Sequence, residues 1–306
     1  MKKFSLLVFL IALGNALLGQ TVPSKDLMLF YTSEWKGERF PDGRPKVPDN
    51  LLQRLKNISI EEVWGTLRNE GYNNQFEGNW TILHADQPFV GRALTALYSP
   101  SRPDVNKVIV DFGHKEGRVG SPNSWPIDML TAGDVYVADG YGKIVDGTLI
   151  GDNLGNSIYA KSKTGVVFDA SVRDPEGLEA IDGFNAFVRG YDPSFLKESM
   201  LTGINVPIRI GRAVVLPGDA VLAKNEGVIF IPPHLLEKVV INAEFIGLRD
   251  KFGHQRLIEG KYTPGQIDSA WSDEIKEDFL KWIDAHPDLL PMSRKELDEY
   301  MKNRTW

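Results

Sequence analysis

From about Trp80 onward, short apolar runs rich in β-branched residues recur between glycine and aspartate turns. Nothing else in the chain restricts its fold so tightly. The runs are 90–98 (VGRALTALY), 107–111 (KVIVD), 135–139 (VYVAD), 165–169 (GVVFD), 184–188, 212–216 and 227–231 (GVIFI). Several show no polar alternation, the pattern of strands covered on both faces. Between two of them, 153–163 reads as a helix with Asp152 at its start. Strands interleaved with helices predict a mixed α/β domain.

Helical signals flank this region. Asn50 can cap a helix over 51–56, and Ser59 one over 60–69 that Gly71 stops. Past Pro232 and Pro233, helices are predicted over 235–249, 273–285 and 293–301. Ser293 with Glu296 three residues on is a capping box for the last. Segment 20–48, with Pro41, Gly43, Pro45 and Pro48, reads as an extended surface arm.

Charge and composition exclude some roles. A net charge of -6 gives no basic surface of the kind nucleic acid needs, so no nucleic-acid partner is expected. Lys2 and Lys3 precede an apolar run over 4–18, and Gly19 follows, the layout of a secretory signal peptide. A membrane anchor is the weaker reading, because the run is short of the ~20 residues of a spanning helix. The expectation is removal of 1–19, export to the periplasm, and no membrane span afterwards. The chain has no cysteine, so a metal site would use oxygen or imidazole ligands. The five histidines, at 84, 114, 234, 254 and 286, are scattered. Oxygen ligands therefore point to Mg²⁺ or Mn²⁺ before Zn²⁺.

The densest chemical signal is 151–174, GDNLGNSIYAKSKTGVVFDASVRD. Gly151, Asp152, Asn153 and Leu154 open a helix whose backbone N–H groups suit an anionic substrate. A strand follows, and Arg173 and Asp174 lie just past its end, where α/β proteins place ligands. Arg173 offers a fork of donors to a carboxylate or enolate oxygen. Asp152 and Asp174 can hold a divalent cation between them, directly or through water.

Twenty residues separate Asp152 from the Arg173–Asp174 pair. This D-x20-R-D spacing resembles the signature of the RraA/4-hydroxy-4-methyl-2-oxoglutarate aldolase family. GDVYVADG (133–140), FVRGYDPS (187–194), VPIRIGRAVVLPGD (206–219), GVIFIP (227–232) and VGRALT (90–95) are similar to further family segments in the same order. The resemblance covers roughly 50–265. It implies a swivelling β/β/α-type single domain, assembled as a homotrimer or hexamer, with a site between subunits for Mg²⁺ or Mn²⁺ and pyruvate-like ligands. It also implies that Asp174 ligates the metal, that Asp152 holds a metal-bound water and donates a proton, and that Arg173 binds substrate oxygen.

Some positions depart from the pattern. Trp64-Gly65-Thr66-Leu67 stands where many members carry an Asp in an early helix, and Gly177 where many carry an acid. Loop 114–128 is enlarged, and its His114, Lys115 and Arg118 read more readily as a solvated surface than as substrate contacts. Asp139 reads as a strand-end cap or a site neighbour, and Glu244 as a helix-face acid or a contact to another subunit's site. The resulting organisation is 1–19 signal peptide, 20–48 arm, 49–265 aldolase-like domain and 266–306 C-terminal helical extension. The function expected is a metal-dependent lyase that cleaves or decarboxylates a small 2-oxo acid. The alternative is a non-catalytic ligand-binding or regulatory protein on the same scaffold. No glycine-rich loop supports a methyltransferase.

Overall fold

Strands covered on both faces must send alternate side chains to two cores, and this chain does so. The computed structural model describes residues 21–302. The expected signal peptide at 1–19 lies outside the described residues. Among them no helix is long and apolar enough to cross a membrane. The strands in chain order are β1 (Phe76–Glu77), β2 (Thr81–Ile82), β3 (Phe89–Pro100), β4 (Asp134–Thr148), β5 (Val166–Val172), β6 (Ala186–Tyr191), β7 (Ser199–Ile204), β8 (Ile208–Ile210), β9 (Ala213–Val215), β10 (Ala220–Lys224) and β11 (Gly227–Ile231). One sheet runs β1-β11-β10-β3-β4-β5-β6-β2, with β7 also on β3, and β8 and β9 form a separate hairpin. The β3–β4, β4–β5 and β5–β6 pairs are parallel.

Every residue of β5 is buried. Tyr136, Ala138, Val166 and Phe168 point to a core closed by Ile158 and Leu178 from crossover helices. Val135, Val137 and Val167 point the other way, under Ile208, Ile210 and Val215 of the hairpin. Each fully buried valine or phenylalanine contributes about 1.5–3 kcal/mol, so the two cores fix the strand register. The chain is a mixed α/β single domain with extra helices, as the sequence predicts. Leu236–Ile258 extends well past the predicted 235–249 and packs with Asp273–Ala285 in a separate aromatic core. Ser59 and Glu62 form a capping box on Ile60–Asn69.

Three expectations change. The KVIVD run lies inside helix Pro103–Lys115, not in a strand. Pro103 and Asp104 in its first turn favour a helix start, and only one side of the run packs, through Ile109. Pro48 rather than Asn50 precedes the helix Asp49–Leu55. Segment 20–48 is not simply an extended surface arm. It contains helix Lys25–Tyr31, capped by Ser24, and its later part enters the core. Val47 is fully buried, and Arg44, 2% exposed, reaches Asp134 at the start of β4. Its two Nη atoms donate to Asp134 Oδ1 and Oδ2 at 2.7 and 2.9 Å.

A second long-range pairing ties the chain's two ends. Arg54 donates to Glu244 on the long helix, with Nε to Oε1 at 2.9 Å, and to Glu296 near the C-terminus at 3.0 Å. These contacts, led by the Glu244 hydrogen bond, raise the Arg54 pKa. Glu244 is buried, so this acid is a clasp and not a solvated helix face.

Arg44→Ala leaves the Asp134 carboxylate buried without its charge partner. A loss of about 3–5 kcal/mol is expected, read as a lower urea midpoint. Asp219 gives a second test. It is 2% exposed, its Oδ2 accepts Leu216 N–H at 2.8 Å, and burial pushes its pKa up to about 8. The folded chain thus keeps a proton that the unfolded chain sheds near pH 4. Stability from this group is full below about pH 4 and is lost as pH rises to about 8. Asp219→Asn should flatten that decline when unfolding midpoints are compared at pH 5 and 8.

Candidate functional site

Neighbouring parallel strands end at the same edge of a sheet. β4 ends at Thr148 and leads through Gly151 into helix Asp152–Ser162, while β5 ends at Val172 and leads directly into Arg173 and Asp174. The two exits are stitched together. Leu149 N–H donates to Ser171 O, and Arg173 N–H to Ile150 O, each at 3.0 Å. The residues of the 151–174 segment are therefore brought to neighbouring strand exits. Gly151, Asp152, Asn153, Leu154 and Arg173 line one cleft of about 90 Å³. Arg173 also borders a second cleft of about 350 Å³, with Asp174, Glu176 and Tyr191.

Two glycines make room for the acids. A Cβ on Gly151 would sit 2.4 Å from Asp174 Oδ2 and 2.9 Å from Arg173 Nε. A Cβ on Gly177 would sit 2.7 Å from Asp152 Cβ. An acid at position 177 would therefore collide with Asp152 as it is placed here. Asp174 itself has φ 57° and ψ 50°, a left-handed conformation that aspartate tolerates better than most residues. It starts the short helix Pro175–Glu179, whose Leu178 packs under Gly155 of the neighbouring helix.

Arg173 Nε lies 3.3 Å from Asp174 Oδ2, and both side chains are roughly half-exposed. Such a pair is weak, so both charges can be recruited by a ligand. The start of helix Asp152–Ser162 adds positive potential. Its first intrahelical bond to a carbonyl four residues back is Gly155 N–H to Gly151 O at 3.0 Å. Asn153 N–H instead donates to Asp152 Oδ1 at 2.7 Å, so that amide is already engaged. Among the described residues, no three His, Cys, Asp or Glu side chains cluster as a metal cage. Asp152 borders the first cleft and Asp174 the second, with Arg173 common to both. Open carboxylates of this kind suit Mg²⁺ or Mn²⁺, which keep several waters, better than a closed zinc site.

Other candidates sit elsewhere. Asp139 Oδ1 accepts Tyr141 N–H and its Oδ2 accepts Arg209 N–H, on the hairpin side of the sheet, and burial raises its pKa. Its position fits the structural reading. His114 faces Gly120 O and the Trp125 ring, and Arg118 also lies over Trp125. The loop does contribute Asn123, whose side chain donates to Leu149 O at 2.8 Å and lines the first cleft beside Phe195. Neither residue carried a sequence signal. Only the folded chain brings them to Arg173. A cavity of about 640 Å³ lies at the opposite edge of the sheet, where β3, β4, β5 and β6 begin.

Comparison with known proteins places the chain in a family. The model for the RraA-like family (Aldolase/RraA) matches residues 60–230. Over 101 residues the chain is 30% identical to a 4-hydroxy-4-methyl-2-oxoglutarate aldolase of Thermus thermophilus, covering 33% of this chain and 60% of that protein. Protein DlpA of Legionella pneumophila is 28% identical over 233 residues, 75% of this chain and 34% of its own. The chain spans about half the length of the first curated relatives it matches. Among solved structures, RraAS2 of Streptomyces coelicolor, an unusual member of the RNase ES inhibitor RraA family, has a TM-score of 0.59 at 23% identity. That match covers 69% of this chain and 100% of that one, and it shows the fold alone. With more than half of its length matched by the family model, the chain belongs to the RraA-like family.

Proposed function

We propose that the chain is a metal-dependent lyase that cleaves or decarboxylates small 2-oxo acids through a pyruvate enolate. Its intended setting is outside the cytoplasm, and its assembly a homotrimer or hexamer. The observation that carries the reading is that Arg173, at the exit of β5, shares a cleft with Asp152 and lies 3.3 Å from Asp174. The family membership and a relative named 4-hydroxy-4-methyl-2-oxoglutarate aldolase support it.

Retro-aldol cleavage and oxaloacetate decarboxylation share one difficulty. Breaking the carbon–carbon bond leaves its electron pair as an enolate, which must be stabilised and then protonated on carbon. Mg²⁺ or Mn²⁺, held by Asp174 and through water by Asp152, would supply Lewis acidity to the keto and carboxylate oxygens. Arg173 presents a fixed cationic fork to the oxygen on which charge grows. The start of helix Asp152–Ser162 favours a substrate carboxylate nearby. Asp152, at the mouth of the cleft, positions a water as the proton donor. Gly151 keeps Arg173 and Asp174 close to the helix start.

Pyruvate release from oxaloacetate and from 4-hydroxy-4-methyl-2-oxoglutarate is the direct test. Turnover should vanish on chelation and return with Mg²⁺ or Mn²⁺. Asp174→Asn keeps a residue tolerant of the left-handed backbone, so lost turnover with an intact fold would report the carboxylate. Arg173→Lys should cost about 10²–10³ in kcat. Failure of every variant to alter turnover would sink the assignment of the site. No turnover with metal-dependent oxalate binding would favour a binding protein on this scaffold. Gly151→Ala should lower turnover at least about tenfold by displacing Arg173 and Asp174, at about 1–3 kcal/mol in urea.

A further inference from the structure

A cavity of about 320 Å³ lies away from the Arg173 cleft, where the N-terminal segment crosses the domain. Tyr31 and Trp35 line it from one side, Tyr72 and His234 from another, with Glu34 and Asp219 also in its wall. Residues 31–35 precede the span matched by the family model, and His234 follows it. The site therefore joins peripheral segments to Asp219 of the shared core.

Its chemistry is one-sided. Among the described residues that line it there is no lysine or arginine. Burial holds the His234 ring below the usual histidine range, so it adds little positive charge near neutral pH. Tyr72 Oη and His234 Nε2 lie 3.4 Å apart, and their rings are tilted at 6.2 Å between centroids. Asp219 is 2% exposed. One of its oxygens is spent on Leu216 N–H, but Oδ1 is buried with no hydrogen-bond partner. Buried polar atoms are nearly always satisfied. Asp219 thus brings to this cavity a buried carboxyl group with one oxygen unpaired, which a neighbouring cation would favour in its ionised form.

We propose that this cavity binds a small organic ammonium ion with an apolar body. Asp219 is its counter-charge, and Tyr31, Trp35 and Tyr72 are its aromatic walls. Aromatic faces attract a cation through their quadrupoles. A cation beside Asp219 supplies the opposite charge that favours the ionised carboxylate. Glu34, exposed at the same cavity, adds negative potential for approach. An anion of the same shape meets two carboxyl groups and no cation.

Phenethylammonium is a suitable probe, with phenylacetate and 2-phenylethanol as the anionic and neutral counterparts. Titration of the full chain, followed by calorimetry and tryptophan fluorescence, should show saturable one-to-one binding of the ammonium alone. Asp219→Asn keeps an acceptor for Leu216 N–H and removes the charge. It should weaken binding at least about tenfold. Tyr72→Ala, which leaves the Leu216–Asp219 hydrogen bond in place, should weaken it as well and guards against misfolding of the first variant. Equal binding of phenylacetate or phenylethanol would overturn the proposal. So would unchanged affinity in both variants, or no saturation at about millimolar ligand.

Discussion

The parallel pairing of β4 with β5 governs everything described at the candidate site. Parallel neighbours cannot be joined by a tight turn and need a crossover of a dozen or more residues. Here the crossover is the helix Asp152–Ser162, and the return is the seven-residue β5. The helix and strand together account for nearly all of the twenty residues between Asp152 and Arg173. That spacing is the contour length of one crossover and its return. It brings the start of the helix back beside the end of the strand, and the Arg173–Ile150 backbone bond fixes the join.

That logic explains what could be read in advance. The β-branched runs at 135–139, 165–169 and 227–231 could be identified because both faces are covered, so no polar residue breaks them. Asp152, Arg173 and Asp174 could be identified because they flank such elements at a fixed distance. The misreading at 107–111 has the opposite cause. Val108 is 67% exposed, so its hydrophobicity reflects no core position. The Arg44–Asp134 pair could not be foreseen either. Its partners are ninety residues apart, and neither lies in a periodic pattern. Asn123 and Phe195 reach the cleft through tertiary packing alone.

The Arg173 cleft and the Asp219 cavity differ in electrostatic character. Around Arg173 the acids are half-exposed and a guanidinium stands among them, so the cleft can accept an anion together with a cation. Around Asp219 the acid is buried and the walls are aromatic. Burial makes charge expensive, and only a ligand that supplies the missing sign restores it. One domain thus offers two environments of different polarity, built from different segments of the chain.

The clasp at Arg54 has a consequence for how the molecule comes apart. Arg54 and Glu296 are 242 residues apart in sequence, and Arg54 and Glu244 are 190 apart. Closing so long a loop is entropically costly until the sheet between has formed. The clasp therefore closes late in folding. An interaction made after the transition state slows unfolding without speeding folding. Its contribution is to the lifetime of the native state: the long helix Leu236–Ile258 cannot peel away until its buried carboxylate loses its partner.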